Sequence, residues 1–191
     1  MAFASLGRRV VGLDTSRALL ELAIRHAAAV RTPPQWVRAD MRRLPFAALF
    51  GGAILLDSFG FFDGDDDNAL VLRELRRILT PTGRLIVGVA NAAPILANFR
   101  PRDVERRGAV VIEIERALQP RPAQLVELLT VREAGDATRY ERRQRLYSAP
   151  ELQALLEAAA FAVQAVFADY LGGRFDEAAS GKVVILAEAA A

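Results

Sequence analysis

The chain has no cysteine and one histidine, His26. Without thiols there is no disulfide framework, no thiolate nucleophile and no cysteine-ligated metal, and one imidazole cannot build a histidine cluster around a metal. Although 52% of the residues are hydrophobic, no uncharged apolar run approaches the roughly 20 residues that span a bilayer. The opening segment, MAFASLGRRV, sets its basic pair after a short apolar stretch, the reverse of a secretory signal. A soluble, cytoplasmic protein is the expectation, with no membrane partner. An excess of one charge is also lacking: the net charge is +2, and nearly all the basic residues are arginines. Doublets such as Arg42-Arg43, Arg76-Arg77, Arg106-Arg107 and Arg142-Arg143 are mostly interleaved with acids, and no basic stripe carries aromatics. Solvated faces are therefore expected rather than a nucleic-acid surface.

What is present is an ordered set of three segments: VVGLDTS at Val10 to Ser16, VRADMRRLPF at Val37 to Phe46, and AILLDSFGFFDGDDDN at Ala53 to Asn68. Each reads as a buried strand entering a polar loop, and the first two end on lone carboxylates, Asp14 and Asp40. That is the pattern of the carboxyl edge of an open parallel α/β sheet, where small ligands bind. A nucleotide-binding sheet of this kind usually has a glycine-rich turn roughly 20 residues before its ribose-binding acid. Counting back from Asp14 runs off the start of the chain.

The 191 residues suit one domain with a small insertion. Leu20, Ala23, Ile24 and Ala27 give a helical face within residues 16–30, which Thr15 or Ser16 can cap. Pro33-Pro34 leads into a strand from Gln35 to Arg38. After a strand at Ala53 to Leu56, the acids Asp63 to Asp67 favour a helix N-terminus, and Val71, Leu75, Ile78 and Leu79 form that helix's core face. Thr80-Pro81-Thr82-Gly83 ends it before a strand at Arg84 to Val89. Between Gly108 and Tyr147 three stretches, Ala109 to Ala117, Gln124 to Arg132 and Thr138 to Tyr147, several of whose residues alternate apolar and charged, predict a three-stranded antiparallel meander over the ligand edge. Ser148-Ala149-Pro150-Glu151 reads as a capping box opening a helix to Ala160. Strands at Phe161 to Ala168 and Lys182 to Ala187 follow, able to pair as a hairpin.

Asp14 can accept hydrogen bonds from two ribose hydroxyls, or it can simply cap the helix. Asp40 with Met41 suits an adenine, the acid accepting from the exocyclic amine and the thioether packing on the ring; a turn acid beside a core methionine is the alternative. Around Asp57-Ser58-Phe59-Gly60-Phe61-Phe62, aromatic faces and carbonyls can attract a cation such as a sulfonium, or the phenylalanines can anchor the loop. His26 is expected on the exposed side of its helix.

The order of these motifs resembles the class I S-adenosylmethionine-dependent methyltransferases, especially bacterial members with an antiparallel insertion between the fifth strand and the next helix. The phrases that carry the likeness are VVGLDTS, ADMRRLPF, SFGFF, DDDN, LRELRRILTPTGRLIVGVAN, FRPRD and RLYSAPEL. The resemblance implies a Rossmann-like α/β fold with an open, mostly parallel sheet, an antiparallel closing hairpin and the three-stranded insertion. It implies one domain over residues 1–191, with a core of 1–98 and 148–191 and an insertion at about 108–147. It implies S-adenosylmethionine as cofactor, with Asp14 and the adjacent Thr15 at the ribose, Asp40 and Met41 at the adenine, and Leu56, Asp57 and Ser58 near the methionine part. No catalytic residue is singled out, because in this family methyl transfer rests mainly on proximity and orientation. The acceptor would be a small molecule. The meander and the loop near Phe99 to Asp103 would shape its pocket, and Phe62, Tyr140 and Tyr147 would contribute.

The family's first strand, with its glycine-rich turn, would stand between the Asp14 strand and the Ala53 to Leu56 strand. Its absence leaves three expectations: the flanking strands close on each other, a second copy of the chain fills the gap, or the natural start lies upstream. Two other readings of the whole remain, a nicotinamide-dependent oxidoreductase and a noncatalytic interaction module that kept the fold.

Overall fold

The computed structural model describes residues 2–28, 32–47 and 50–190. They fall into two compact units, one within residues 1–48 and the other within 49–191.

In the first unit a four-residue helix, α1 (Ala2–Ser5), precedes strand β1 (Val11–Asp14), helix α2 (Arg17–Ala27) and strand β2 (Gln35–Arg38). The two strands pair in parallel, with Asp14 opposite Arg38 and Gly12 opposite Trp36. Gly12 is required here because the Trp36 ring occupies the space that any β-carbon would fill. Ser16 is the helix cap, its hydroxyl accepting the Leu19 N–H at 3.3 Å. Leu20 and Ala27 are buried as expected, whereas Ile24 is half exposed. Among the described residues of this unit, two strands are available for that helix to cover.

The second unit begins with strand β3 (Phe50–Leu56), helix α3 (Asp65–Ile78), strand β4 (Leu79–Ala90) and the short helix α4 (Ala92–Ala97). Four long antiparallel strands follow: β5 (Arg102–Arg107), β6 (Val110–Pro120), β7 (Ala123–Glu133) and β8 (Asp136–Arg145). Helix α5 (Ala149–Ala158) and strands β9 (Phe161–Phe167) and β10 (Lys182–Ala189) complete it. One sheet has the order β3-β4-β10-β9, with β3 and β4 parallel and β10 antiparallel to both its neighbours. The closing pair β9 and β10 is thus present, and it is the later strand that lies against β4. Buried faces of α3 (Val71, Leu72, Leu75, Ile78) and α5 (Leu152, Leu156), with Leu85, Val87 and Ile185 of the strands, supply the core.

Two expectations change. The insertion has four strands rather than three, in the order β5-β6-β7-β8. The extra strand, RDVERR, carries one apolar residue, Val104, which is itself exposed; a charged edge strand has no hydrophobic alternation to announce it. The Thr80 to Gly83 turn does not separate helix from strand cleanly either, because β4 already begins at Leu79, opposite Phe50. The ladder then jumps to Gly52 opposite Arg84, so the Thr-Pro-Thr-Gly segment bulges out of it. The capping box forms as predicted, with Ser148 and Glu151 exchanging hydrogen bonds.

Candidate active site

In the first unit the parallel pairing brings the two carboxylates to one edge. Asp14 ends β1, and the Ala39 N–H donates to its carbonyl at 3.2 Å, which places Asp40 just beyond. The Asp14 carboxylate accepts the Ser16 N–H through Oδ1 at 2.8 Å. Its other oxygen makes no hydrogen bond among the described residues, so cap and ligand acceptor are compatible roles for this side chain. Thr15 is exposed, and its carbonyl accepts Arg38 Nε at 2.9 Å. Asp40 is more engaged. Arg42 donates from its backbone at 2.8 Å and from its guanidinium at 2.7 Å, and these bonds, led by the side-chain ones, hold the Asp40 carboxyl below the ordinary carboxylate range. An amine at Asp40 would share the carboxylate with Arg42. Met41 is half-buried beside it, and His26 is exposed.

In the second unit Leu56 and Asp57 are exposed and Ser58 half-buried at the carboxyl end of β3. Asp57 has φ +53°, the left-handed region that a non-glycine residue enters at a cost. Three contacts hold it. Its N–H donates to Gly88 O at 2.9 Å, Lys182 Nζ donates to its Oδ1 at 2.6 Å, and Tyr170 engages its carboxylate. The ammonium of Lys182 also lies 5.2 Å from the Tyr170 ring centre. Burial first, and Asp57 second, push the Tyr170 phenol up to about 12. Gly88 permits this arrangement, since a β-carbon there would meet Tyr170 Cε1 at 2.5 Å. Sequence reasoning missed both partners of Asp57. Lys182 did carry a signal, as the only lysine in an arginine-rich chain.

The three aromatic candidates separate. Phe62 is half-buried in the loop between β3 and α3. Tyr147 is buried, stacked on Phe59 with centroids 5.7 Å apart, under the Arg145 guanidinium, and its hydroxyl donates to Asp65 at 3.3 Å; burial above all raises its pKa strongly. Tyr140 is exposed on β8.

A cavity of about 450 Å³ lies in this unit between α4, with the segment after it, and one face of the β5–β8 sheet. Pro94, Ile95, Asn98, Phe99 and Arg100 line it from α4 onward, and Arg116, Leu125, Glu127, Arg142 and Gln144 from the sheet. Arg116, Glu127 and Arg142 stand directly opposite one another on β6, β7 and β8. The Glu127 carboxylate is buried between the two guanidiniums, accepting Arg116 Nε at 2.8 Å and two N–H groups of Arg142. Burial alone would raise its pKa, but those bonds outweigh it and keep the group ionised, below the ordinary range. Tyr140 is two residues from Arg142 and so shares its sheet face, outside the cavity lining. The cavity borders the Asp57 edge: Gly181, in its lining, accepts the Asn91 N–H at 3.1 Å, and the next residue is Lys182. Among the described residues no cluster of acids and histidine is fit to hold a metal ion, and no helix is long and apolar enough to cross a membrane.

Residues 1–87 match the family model described as a methyltransferase domain. No curated protein sequence matches the chain. Among solved structures, the CcbJ methyltransferase from Streptomyces caelestis superposes with a TM-score of 0.86 at 22% identity, covering 99% of this chain and 78% of that one. An S-adenosylmethionine-dependent methyltransferase from Clostridium acetobutylicum gives 0.81 at 14% identity, covering 96% and 76%. The S-adenosylmethionine-bound amino pentose methyltransferase CalS10 from Micromonospora echinaspora gives 0.65 at 18%, covering 95% and 74%. Residues 1–87 are thus similar to a methyltransferase domain, and the chain shares the fold of these methyltransferases over nearly its whole length.

Proposed function

We propose that this chain methylates a small-molecule acceptor bound in the cavity between α4 and the β5–β8 sheet. The observation that carries the reading is the link between cavity and cofactor edge: Gly181 lines the cavity, while its neighbour Lys182 grips Asp57 at the end of β3. In this reading Asp14 and Thr15 hold the ribose, Asp40 and Met41 the adenine, and Leu56, Asp57 and Ser58 the methionine part. The free Asp14 oxygen and the half-buried Met41 support those roles. When bound, S-adenosylmethionine supplies a methyl group already activated on a sulfonium. The residues of the chain then have only to orient the acceptor. Glu127 is a positioning group, since a carboxylate whose oxygens already accept three N–H bonds from Arg116 and Arg142 is a poor proton acceptor. The acceptor's proton passes to water. Phe62 and Tyr140 remain candidate acceptor contacts, and Tyr147 supports the loop from within the core. We read residues 1–191 as one methyltransferase domain in the cytoplasm, without a nucleic-acid partner.

The test is to incubate the purified chain with S-adenosylmethionine and a panel of amino sugars, phenols and small acids, and to follow S-adenosylhomocysteine by mass spectrometry. Acceptor-dependent release supports the reading. Release with no acceptor in the panel, or none when a known methyltransferase consumes the same panel, counts against it.

A second reading rests on β3. Among the described residues it pairs only with β4, and its Ile54 and Leu56 are half exposed. A second copy of the chain pairing along that edge would cover them, and light scattering after size exclusion would show a dimer.

A further inference from the structure

The cavity is lopsided in charge. Three guanidiniums line it, those of Arg100, Arg116 and Arg142, against one carboxylate, Glu127. Glu127 is already served by three N–H donors, close to the roughly four lone-pair positions that a carboxylate offers. An incoming ammonium group would therefore find little acceptor capacity there and two cations beside it. Anions meet the opposite situation. Arg100 is exposed and makes no hydrogen bond or ion pair among the described residues. Arg142 spends its Nε and one terminal nitrogen on Glu127, leaving the other terminal nitrogen free, and its side chain is half exposed. Arg116 is held on both sides, by Glu127 and by Asp103 at 3.4 Å, so it fixes the array rather than reaching for a ligand. Ile95 and Phe99, packed on the buried Leu125, offer an apolar surface beside these groups.

The geometry points to an occupant with an apolar body and an anionic group, a carboxylate or a phosphate, with the anion held by Arg100 and Arg142 and the body laid on Ile95, Phe99 and Leu125. This inference rests on the cavity being the acceptor site, and it narrows the acceptor to molecules that carry an acid remote from the methylated atom. Glu127 sets the direction: it anchors the inner arms of two arginines so that the remaining N–H groups stay aimed at the space.

The experiment uses two probes of nearly equal shape, benzoate and benzamide, titrated into the full chain while the arginine Nε–Hε resonances are followed by NMR. Inorganic phosphate in a parallel titration separates a site for any anion from one that also needs the apolar body. The expected result is that benzoate shifts the Arg142 resonance with at least about tenfold higher affinity than benzamide, and that Arg100→Gln weakens it by about tenfold. Arg100 is an exposed side chain, so this variant should melt as the wild type does. Equal affinity for the two probes, or benzoate binding unchanged in Arg100→Gln, overturns the inference. Turnover is read separately. An active methyltransferase that ignores benzoate refutes the anion site alone. Benzoate bound at these arginines, in a chain that methylates nothing, refutes the acceptor reading and leaves the anion site standing.

Discussion

Lys182 Nζ lies 2.6 Å from Asp57 Oδ1, joining the first residue of β10 to the turn that leaves β3, across 125 residues of chain. The pair holds a left-handed aspartate in place at the edge where the cofactor's methionine part is proposed to sit. Both side chains are partly exposed, at 35% and 51%, so screening limits the pair to about 0–1 kcal/mol of stability. Lys182→Gln is expected to lower the melting temperature by little and to weaken S-adenosylhomocysteine binding by more, which paired thermal and calorimetric titrations would show. A loss of stability with unchanged binding would assign the pair a purely structural role.

Tyr170 gives a pH-dependent reporter of the same cluster. Its phenol is pushed up to about 12 from an ordinary 10. Between those values the folded chain keeps a proton that the unfolded chain has released, so stability falls as the pH rises through that window. Asp57→Asn removes one cause of the shift, and Gly88→Ala expels the ring by placing a β-carbon 2.5 Å from it. Both variants should move one tyrosine titration toward 10 in the ultraviolet absorbance of tyrosinate.

The buried Glu127 makes the opposite prediction at acid pH. Its folded pKa lies below the ordinary 4.5. The stability it contributes is complete above that value and is lost as the pH falls through the lower folded one. Glu127→Gln should flatten that acid limb. At neutral pH it should cost between the roughly 1 kcal/mol of an exposed pair and the about 3–5 kcal/mol of a buried one, because Arg116 is largely buried and Arg142 half exposed. Urea unfolding at several pH values measures both effects.

Tyr147 separates support from contact. Removing its hydroxyl breaks a 3.3 Å bond to the half-exposed Asp65, an expected loss of about 0.5–1.5 kcal/mol. Tyr147→Phe should therefore lower stability while leaving benzoate affinity unchanged. A large loss of benzoate affinity would return this ring to the acceptor site.

How much of this was legible in the sequence follows from range. Ser16 as cap, the Ser148–Glu151 box and the acids at the ends of β1 and β2 could be read because each depends on neighbours within a few residues. The partners of Asp57 could not, since Gly88, Tyr170 and Lys182 come from distant segments brought together by a β4–β10 register that no local pattern specifies. Glu127 sits in a sequence, Leu125 to Thr130, whose apolar residues hide a charge paired across two strand neighbours. Arg102–Arg107 escaped notice because an exposed edge strand needs no apolar alternation. The family resemblance put Tyr147 at the acceptor pocket, and only the packing of Phe59 beneath it showed a core ring.

Asp14 can be tested without disturbing its turn. Asparagine keeps a side-chain oxygen for the Ser16 N–H but loses the charge that strengthens bonds to ribose hydroxyls, each worth about 1.5–3 kcal/mol. Asp14→Asn should melt as the wild type does and bind S-adenosylhomocysteine at least about tenfold more weakly.

The most direct measurement is calorimetric titration of S-adenosylhomocysteine into the 191-residue chain, with Asp14→Ala in parallel. The account predicts micromolar binding that the substitution abolishes. A folded sample that gives no heat, or binding that ignores the loss of Asp14, would contradict it.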